Sequence, residues 1–340
     1  MSVLDHDVMH VGVIGSGGWG TALAILANRA ASRVTLWSRN ESVIESVSER
    51  RYNEAYLPGI FIDPAIEITN DLSKACACDV LILCVPSQSL RSTCIAISDL
   101  LDPGIPLLIA TKGIERGSLL LMSELVSSIL EENPVAILSG PNFADEAAKG
   151  LPTATTIACA DSVLGERLMY AVGGKLFRPY LTDDVIGTQI GGAVKNVIAI
   201  ATGIAAGCEL GENAKAALIT RGLAEMGRLC KAKGGKHQTL MGLSGIGDLV
   251  LTCSTNKSRN MSLGMQLGKG TPVTEVLAKP RFGVTEGVFT ADSVSHLAQN
   301  MGVDMPICNA VHGILKGELS VKETIHKMLD RPFSTELIEA

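Results

Sequence analysis

A glycine-rich turn near the start of the chain restricts the fold more than any other feature. It reads Gly15-Ser16-Gly17-Gly18-Trp19-Gly20, and it follows an apolar run at 8–14 that fits a buried parallel strand. An alanine-rich helical pattern comes next at 21–31, and a second strand pattern at 33–37. G-x-G-x-x-G in this order of strand, turn, helix and strand is typical of a βαβ unit that binds a dinucleotide.

The spacing predicts a role for each glycine of the pattern. Gly15 would permit the tight turn, Gly17 would let a pyrophosphate approach the backbone, and Gly20 would let the helix pack on the strand. The free backbone amides at the start of the helix would attract the phosphates. A glycine turn without a ligand is the alternative.

The end of the second strand bears on which dinucleotide is bound. An NAD-selective site usually has an acidic residue here for the ribose hydroxyls, whereas this chain has Trp37-Ser38-Arg39. Arg39 suits a 2′-phosphate, so we expect NADP. Glu41 lies close enough in sequence to leave NAD, or the use of both, open. Arg39 could also be an ordinary solvated charge.

With 340 residues, the chain is long enough for about two domains, and its patterning changes near the middle. Strand and helix patterns alternate at first, but from residue 184 nearly every segment has helical periodicity. We predict an α/β Rossmann-type N-terminal domain over 1–188 and an all-α C-terminal domain over 189–340. Further strands are predicted at 66–69, 79–85, 106–110, 135–138, 153–159 and 176–181, with a loop at 52–64. The later helices are predicted at 184–206, 213–232, 258–268, 286–301, 306–316 and 321–330.

Composition excludes several classes of partner. The formal net charge of -6 comes without blocks of like charge, so we expect neither nucleic acid nor an anionic membrane as the main partner. The nine cysteines are odd in number and include no Cys-x-x-Cys pair, which predicts reduced thiols, no structural metal and a cytoplasmic protein. Residues 1–10 lack the pattern of a secretory signal, and we expect no stable membrane insertion.

Lys195 is the leading candidate for a catalytic group. It lies in Gly191-Gly192-Ala193-Val194-Lys195-Asn196, and the next formal charge is Glu209. Small residues one turn away would let another molecule approach the ammonium closely. The alternative is that Lys195 extends its head to solvent from the end of an apolar helix.

A second polar constellation lies between Ser244 and Asn260. Ser258 fits the N-cap of a helix with Arg259 and Asn260 in its first turn, where an arginine opposes the helix dipole unless an anion is near. The segment therefore fits a phosphate site, with a solvated basic helix start as the alternative. Asp248 could contact a substrate hydroxyl, hold Lys195 or cap a helix.

Lys112 follows the predicted strand at 106–110. Ligands of open α/β sheets bind beyond the carboxyl ends of the strands, so this position favours a role near the cofactor. An ordinary loop charge is equally consistent with the sequence.

The order and spacing of these motifs resemble those of one known family, the bacterial-type NAD(P)-dependent sn-glycerol-3-phosphate dehydrogenases. The resemblance covers essentially the whole chain. It rests on GSGGWG, VPSQSLR, TKGIE, SGPNFA, GGAVKN, GLSGIGDLVLTC, SRN and VTEG, in that order.

The resemblance implies interconversion of sn-glycerol 3-phosphate and dihydroxyacetone phosphate by hydride transfer with NADP or NAD, supplying phospholipid synthesis. It implies that Lys195 is catalytic. The implied substrate-binding residues are Lys112, Gly140, Asn142, Lys195, Asp248, Ser258, Arg259 and Asn260, and the implied cofactor-binding residues are Gly18, Trp19, Arg39, Lys112, Ala144, Arg259, Val284 and Glu286. Gly18 replaces a frequent serine and Asn142 a frequent threonine, which leaves the backbone contacts intact.

The reaction needs a base for the proton of the alcohol, and no histidine lies in a suitable motif. Burial and a nearby Arg259 or Lys112 would lower the pKa of Lys195 towards working pH. We expect Asp248 to orient Lys195 or the substrate hydroxyl. A β-hydroxyacid dehydrogenase and a non-catalytic NADP-binding sensor are the alternatives, and the apolar helices of the second half favour a homodimer.

Overall fold

The computed structural model describes residues 8–279 and 285–332, which form two compact units. The first unit comprises 8–111 and 122–185, and the second comprises 112–121 together with the described residues from 186 onward. The sequence predicted that all of 1–188 would form one domain. The structure instead groups 112–121 with the helices, because Ile114 and Leu121 are fully buried in the apolar core of the second unit.

The first unit is built on an eight-stranded sheet. The strands of the unit are β1 His10–Ile14, β2 Arg33–Trp37, β3 Tyr52–Asn53, β4 Leu57–Phe61, β5 Ile66–Thr69, β6 Val80–Leu83, β7 Leu107–Ile109, β8 Val135–Ser139, β9 Thr153–Ala158 and β10 Phe177–Thr182. Its helices are α1 Gly18–Arg29, α2 Glu41–Arg50, α3 Leu72–Cys76, α4 Leu90–Ile97, α5 Met122–Ser127, α6 Ala144–Lys149 and α7 Ser162–Val172, with a 3-10 turn over Ser87–Ser89.

The strand order is β10-β9-β8-β7-β6-β1-β2-β5. All neighbours pair in parallel except β8 and β9, which are antiparallel. The chain moves outward from β1 through β2 to β5 and then returns to β6 on the other side of β1. The gap between β1 and β6 is therefore the topological switch point, beyond whose carboxyl edge dinucleotides bind.

The predicted Rossmann-type sheet is confirmed strand by strand, because buried parallel strands read as short apolar runs. The loop predicted at 52–64 is wrong in part. Strands β3 and β4 form a small antiparallel pair there, since Leu57 and Ile60 turn inward to the core of the unit. The side chain of Asn53 donates to Ser16 O and Thr21 Oγ1, each at 2.8 Å, and so fixes this pair beside the glycine-rich turn.

From residue 186 onward, the regular secondary structure of the described part of the second unit is helical, as predicted. Its helices are α8 Val185–Gly207, α9 Glu212–Lys233, α10 His237–Leu240, α11 Asp248–Cys253, α12 Arg259–Gly268, α13 Val273–Ala278, α14 Glu286–Asn300, α15 Pro306–Lys316 and α16 Val321–Leu329, and a π-helical turn spans Leu243–Gly247. The short elements α10, α11 and α13 and the π turn were not predicted, because they are too brief to show a period.

Helix α8 is the centre of the second core. Its residues from Gly187 to Ala205 are all buried, including Lys195. By length and composition the helix could cross a membrane, but buried core helices share this length and composition. Helix α8 is itself enclosed by the other helices of its unit.

Candidate functional site

The glycine-rich turn of the first unit has the geometry that a dinucleotide needs. Gly15 has φ +114°, and a Cβ there would lie 2.3 Å from Cys84 O, so only glycine fits. A Cβ on Gly17 would instead point into open space. Gly17 precedes α1, whose first turn carries no acidic residue and, in the part of the chain described, no side-chain cap. The helix start without a side-chain cap and the open face at Gly17 fit a pyrophosphate.

The residues around this turn explain its composition. A Cβ on Gly18 would lie 2.8 Å from Tyr56 O, which accounts for glycine where the related family often has serine. The ring of Trp19 packs against Phe177, with 6.4 Å between ring centroids, and Ala144 begins α6 beside Gly18. The structure thus brings Gly15, Gly17, Gly18, Trp19, Gly20 and Ala144 together.

The end of β2 carries a basic residue and a hydroxyl network. Ser38 is buried, and its hydroxyl oxygen accepts a hydrogen bond from Ser16 Oγ at 2.6 Å. The neighbouring Arg39 is exposed. Glu41 is also exposed and begins α2, whose N-cap is Asn40. The exposed guanidinium directly after the strand fits a 2′-phosphate.

Gly140 and Asn142 follow the end of β8. A Cβ on Gly140 would meet Thr155 Cα at 2.9 Å, so this turn packs directly on β9. The side chain of Asn142 donates to Ala154 O at 3.0 Å and accepts from Thr155 Oγ1 at 2.9 Å. It therefore holds the turn in place against β9.

The second unit places Lys195 in a polar cluster of four residues. Lys195 Nζ donates to Asp248 Oδ1 and, at 3.0 Å, to Thr252 Oγ1. Lys112 Nζ donates to the other carboxylate oxygen, Asp248 Oδ2, at 2.6 Å. The side chains of Lys195, Asp248 and Lys112 are 10%, 1% and 19% exposed, so the carboxylate is inaccessible and both lysines are largely desolvated.

Local structure positions Asp248 and Thr252 for these contacts. The π-helical turn Leu243–Gly247 leads directly into α11, and Asp248 is the first residue of that helix. Gly191 of α8 makes room for this turn, because a Cβ there would lie 2.3 Å from Ser244 O. Thr252 follows one helical turn after Asp248 and donates its hydroxyl to Asp248 O at 2.6 Å, so its oxygen is left to accept from Lys195.

Burial is the main cause that lowers the pKa of Lys195, to about 8. The negative charge of Asp248 raises the pKa, and the positive charge of Lys112 lowers it further. Lys112 is thus the neighbouring cation, whereas Arg259 is exposed at the start of α12. Burial raises the pKa of the adjacent Cys253 to about 11, so Cys253 is a neutral thiol near pH 7. The alternative for Lys195, a head extended to solvent, is wrong.

The segment from Ser258 to Asn260 is linked to α8 through Asn196, the residue that follows Lys195. Ser258 caps α12 as predicted, since its hydroxyl accepts from Met261 N at 3.2 Å. Asn260 Nδ2 donates to Asn196 Oδ1 at 2.9 Å, and Asn260 Oδ1 accepts from Gly287 N at 3.1 Å. Asn260 therefore ties α12 to α8 and α14. Glu286 begins α14 next to Gly287, and Val284 lies outside the described residues.

Two residues of this site, Thr252 and Asn196, were missed by the sequence analysis. Thr252 lies four residues after Asp248, a spacing that places both on one helix face, and this signal could have identified it. Asn196 is adjacent to Lys195, but only the fold reveals its bond to Asn260. Among the described residues no group of three or more metal-ligating side chains occurs.

Comparisons with known proteins show which family this chain belongs to. Residues 10–164 match the family described as NAD-dependent glycerol-3-phosphate dehydrogenase N-terminus, and residues 184–326 match the corresponding C-terminus. A protein of Rhodospirillum rubrum named glycerol-3-phosphate dehydrogenase [NAD(P)+] is 48% identical, with 98% of this chain and 95% of the relative covered. A protein of the same name from Caulobacter vibrioides is 46% identical over 96% and 98%. The crystal structure of glycerol-3-phosphate dehydrogenase from Coxiella burnetii superposes with a TM-score of 0.91 at 38% identity, covering 95% and 99% of the two chains.

Proposed function

This chain belongs to the family of NAD-dependent glycerol-3-phosphate dehydrogenases, and from that membership we propose that Lys195 is the acid–base group with which it interconverts sn-glycerol 3-phosphate and dihydroxyacetone phosphate. One observation carries the proposal. A buried lysine, held by a carboxylate and a hydroxyl, has a pKa of about 8 and so exchanges a proton near working pH. The relatives support this activity over the β-hydroxyacid and sensor alternatives.

A dinucleotide held at the glycine-rich turn would supply a nicotinamide to accept the hydride from C2 of the alcohol. The proton of the C2 hydroxyl must leave at the same time. In its neutral form Lys195 donates its two N–H groups to Asp248 and Thr252. The lone pair of Nζ therefore points along the remaining tetrahedral direction. That lone pair takes the proton as the C2–O bond becomes a carbonyl. In the reducing direction, the third N–H of the ammonium returns the proton to the carbonyl oxygen.

Asp248 and Lys112 balance the charge of Lys195. Asp248 orients the amine and stabilises the ammonium that forms during oxidation. The positive charge of Lys112 opposes this stabilisation by lowering the pKa of Lys195. With Lys195 neutral, the cluster carries one positive and one negative charge. With Lys195 protonated, it carries a net positive charge, which favours negative charge developing on the substrate oxygen.

We assign the substrate phosphate to the start of α12. Its first turn contains Arg259 and no acidic residue, so the guanidinium and the helix dipole both favour an anion. Asn260 donates one of its two amide hydrogens to Asn196 Oδ1. Ser258, the Gly140 and Asn142 backbone, Lys112 and Glu286 complete the proposed substrate and cofactor contacts, and Val284 stays a prediction.

Cofactor preference and cellular context are part of the same proposal. The exposed Arg39 supports NADPH as the preferred reductant, with NAD also accepted. The nine cysteines are free of disulfides in the described chain, which supports a cytoplasmic enzyme. We propose that it acts as a homodimer through its helical half and supplies glycerol 3-phosphate for phospholipid synthesis.

The test follows NADPH oxidation with dihydroxyacetone phosphate and with unphosphorylated dihydroxyacetone. Turnover should require the phosphate ester, and Lys195→Met should lower kcat by about 100-fold or more. Lys215→Met, which removes a lysine paired with Glu212 on α9, is the matched control and should retain wild-type rates. Near-normal turnover of Lys195→Met would remove Lys195 from the mechanism. Absence of turnover in the wild-type protein would contradict the function itself.

A further inference from the structure

Residues 112–121 form a compact loop, here called the 112–121 loop. Ile114 and Leu121 pair through an antiparallel bridge at its base, and both are fully buried. Across the loop Glu115 N donates to Leu120 O at 3.0 Å, and Leu119 N donates to Glu115 O at 3.1 Å. These bonds make the loop a single stiff element, so a contact at one end affects the position of the other.

Ion pairs hold the loop at two points. At its start, Lys112 Nζ contacts Asp248 Oδ2 at 2.6 Å. Towards its tip, Arg116 Nε donates to Asp292 Oδ2 of α14 at 3.1 Å. Both partners are acidic residues of the helical unit, and both are much more buried than the loop residues that reach them.

Resting on the proposed function, we infer that Arg116 and Asp292 are positioning residues, which hold the 112–121 loop so that Lys112 stays against Asp248. Their effect on the reaction passes through Lys112, whose long side chain reaches Asp248 only from a fixed backbone.

The surroundings of Asp292 make it an effective anchor. Its other oxygen, Oδ1, lies 3.0 Å from Lys316 Nζ and 3.1 Å from His312 Nε2. His296 Nδ1 is 3.8 Å away. Burial tends to raise the pKa of Asp292, but the hydrogen bonds and charges of Lys316 and Arg116 outweigh it and hold the pKa below its usual value. Asp292 is therefore a carboxylate at working pH.

Loss of this carboxylate does more than release Arg116. Without Asp292, Arg116 and Lys316 lose the carboxylate that both of them contact, so the tip of the loop loses its ion pair to α14 while the ammonium at the end of α15 repels the guanidinium. The opposing explanation is that burial of Ile114 and Leu121 alone fixes Lys112. In that case the ion pair would contribute only to stability.

The experiment separates these two explanations with the variants Asp292→Asn, Arg116→Met and their double combination. Each variant should lower kcat/KM for glycerol 3-phosphate at neutral pH by about 5-fold, the scale of a partly buried ion pair. The double variant should be no worse than either single one, since both remove the same contact. The acidic limb of the pH profile should also move upward, because a displaced Lys112 no longer lowers the pKa of Lys195.

Lys316→Met is the matched control, because it removes another cation from Asp292 without touching the loop. It should stay within about 2-fold of wild type in kcat/KM, as exposed ion pairs do. A lowered Tm with unchanged kcat/KM and pH profile in Asp292→Asn and Arg116→Met would overturn the proposal, as would an equal effect of Lys316→Met. A wild-type enzyme without turnover would contradict the function rather than the anchor.

Discussion

Lys112→Met tests the charge balance around Lys195 most directly. Lys112 and Asp248 act on the pKa of Lys195 in opposite directions, the cation lowering it and the carboxylate raising it. Methionine keeps the aliphatic stem of Lys112 and removes the charge. The pKa of Lys195 should therefore rise from about 8.

The size of the rise follows from the geometry. The two amines bind different oxygens of one carboxylate, so their nitrogens lie roughly 5 Å apart, and at an effective dielectric constant of about 20 they repel by about 3 kcal/mol. Lys112 is 19% exposed, so solvent screens part of this repulsion. We expect a rise of about 1 unit, worth about 1.4 kcal/mol, which lowers the neutral fraction of Lys195 near pH 7 about tenfold.

The assay is kcat/KM for glycerol 3-phosphate oxidation between about pH 6 and pH 10, because this ratio reports the ionisation of the free enzyme. Oxidation needs the neutral amine, so activity should rise with pH through the pKa of Lys195. Reduction of dihydroxyacetone phosphate needs the ammonium and should fall through the same pH. Comparing variant with wild type cancels the ionisation of the substrate.

Asp248→Asn is the companion variant. It should shift the acidic limb of the kcat/KM profile in the direction opposite to the shift expected for Lys112→Met. It leaves Lys195 beside a second cation with no carboxylate, so the acidic limb should move to lower pH while the plateau falls. Limbs that both stay in place, or that move in the same direction, would refute the assignment of the titrating group to Lys195.

Three other perturbations follow from single contacts. Arg39→Gln should raise KM for NADP by about tenfold with little change for NAD, the loss of one charged hydrogen bond, as measured by initial rates with each cofactor. Burial raises the pKa of Glu225 to about 7, above its unfolded value of about 4.5, so its contribution to folding is fully present at low pH and is lost as the pH rises through 7. The free energy of unfolding should fall by about 3 kcal/mol between about pH 4.5 and about pH 7. In denaturant titrations, Glu225→Gln should make this free energy less dependent on pH. Gly191→Ala places a Cβ 2.3 Å from Ser244 O, which should cost about 1 to 3 kcal/mol of stability and lower kcat by displacing Asp248; an unchanged Tm would contradict this packing.

The sequence by itself determined the architecture and the main candidates of the site. Short apolar runs predict buried strands and 3.6-residue periods predict helices, because burial of a strand or a helix face requires those spacings. The glycine-rich turn was predictable because only glycine adopts the conformation of Gly15. Lys195 was identified as a candidate because burying a single charge in a long apolar helix is unfavourable unless that charge has a role.

Only the tertiary structure decided how those candidates act together. Lys112 and Lys195 are 83 positions apart in the chain, yet they share the carboxylate of Asp248, and the sequence left the roles of Lys112 and Asp248 open. The grouping of the 112–121 loop with the helices also depends on burial of two apolar side chains, which is a property of the packed core. A pKa near 8 arises from that packing, because desolvation and the distances between charges exist only once the chain has folded.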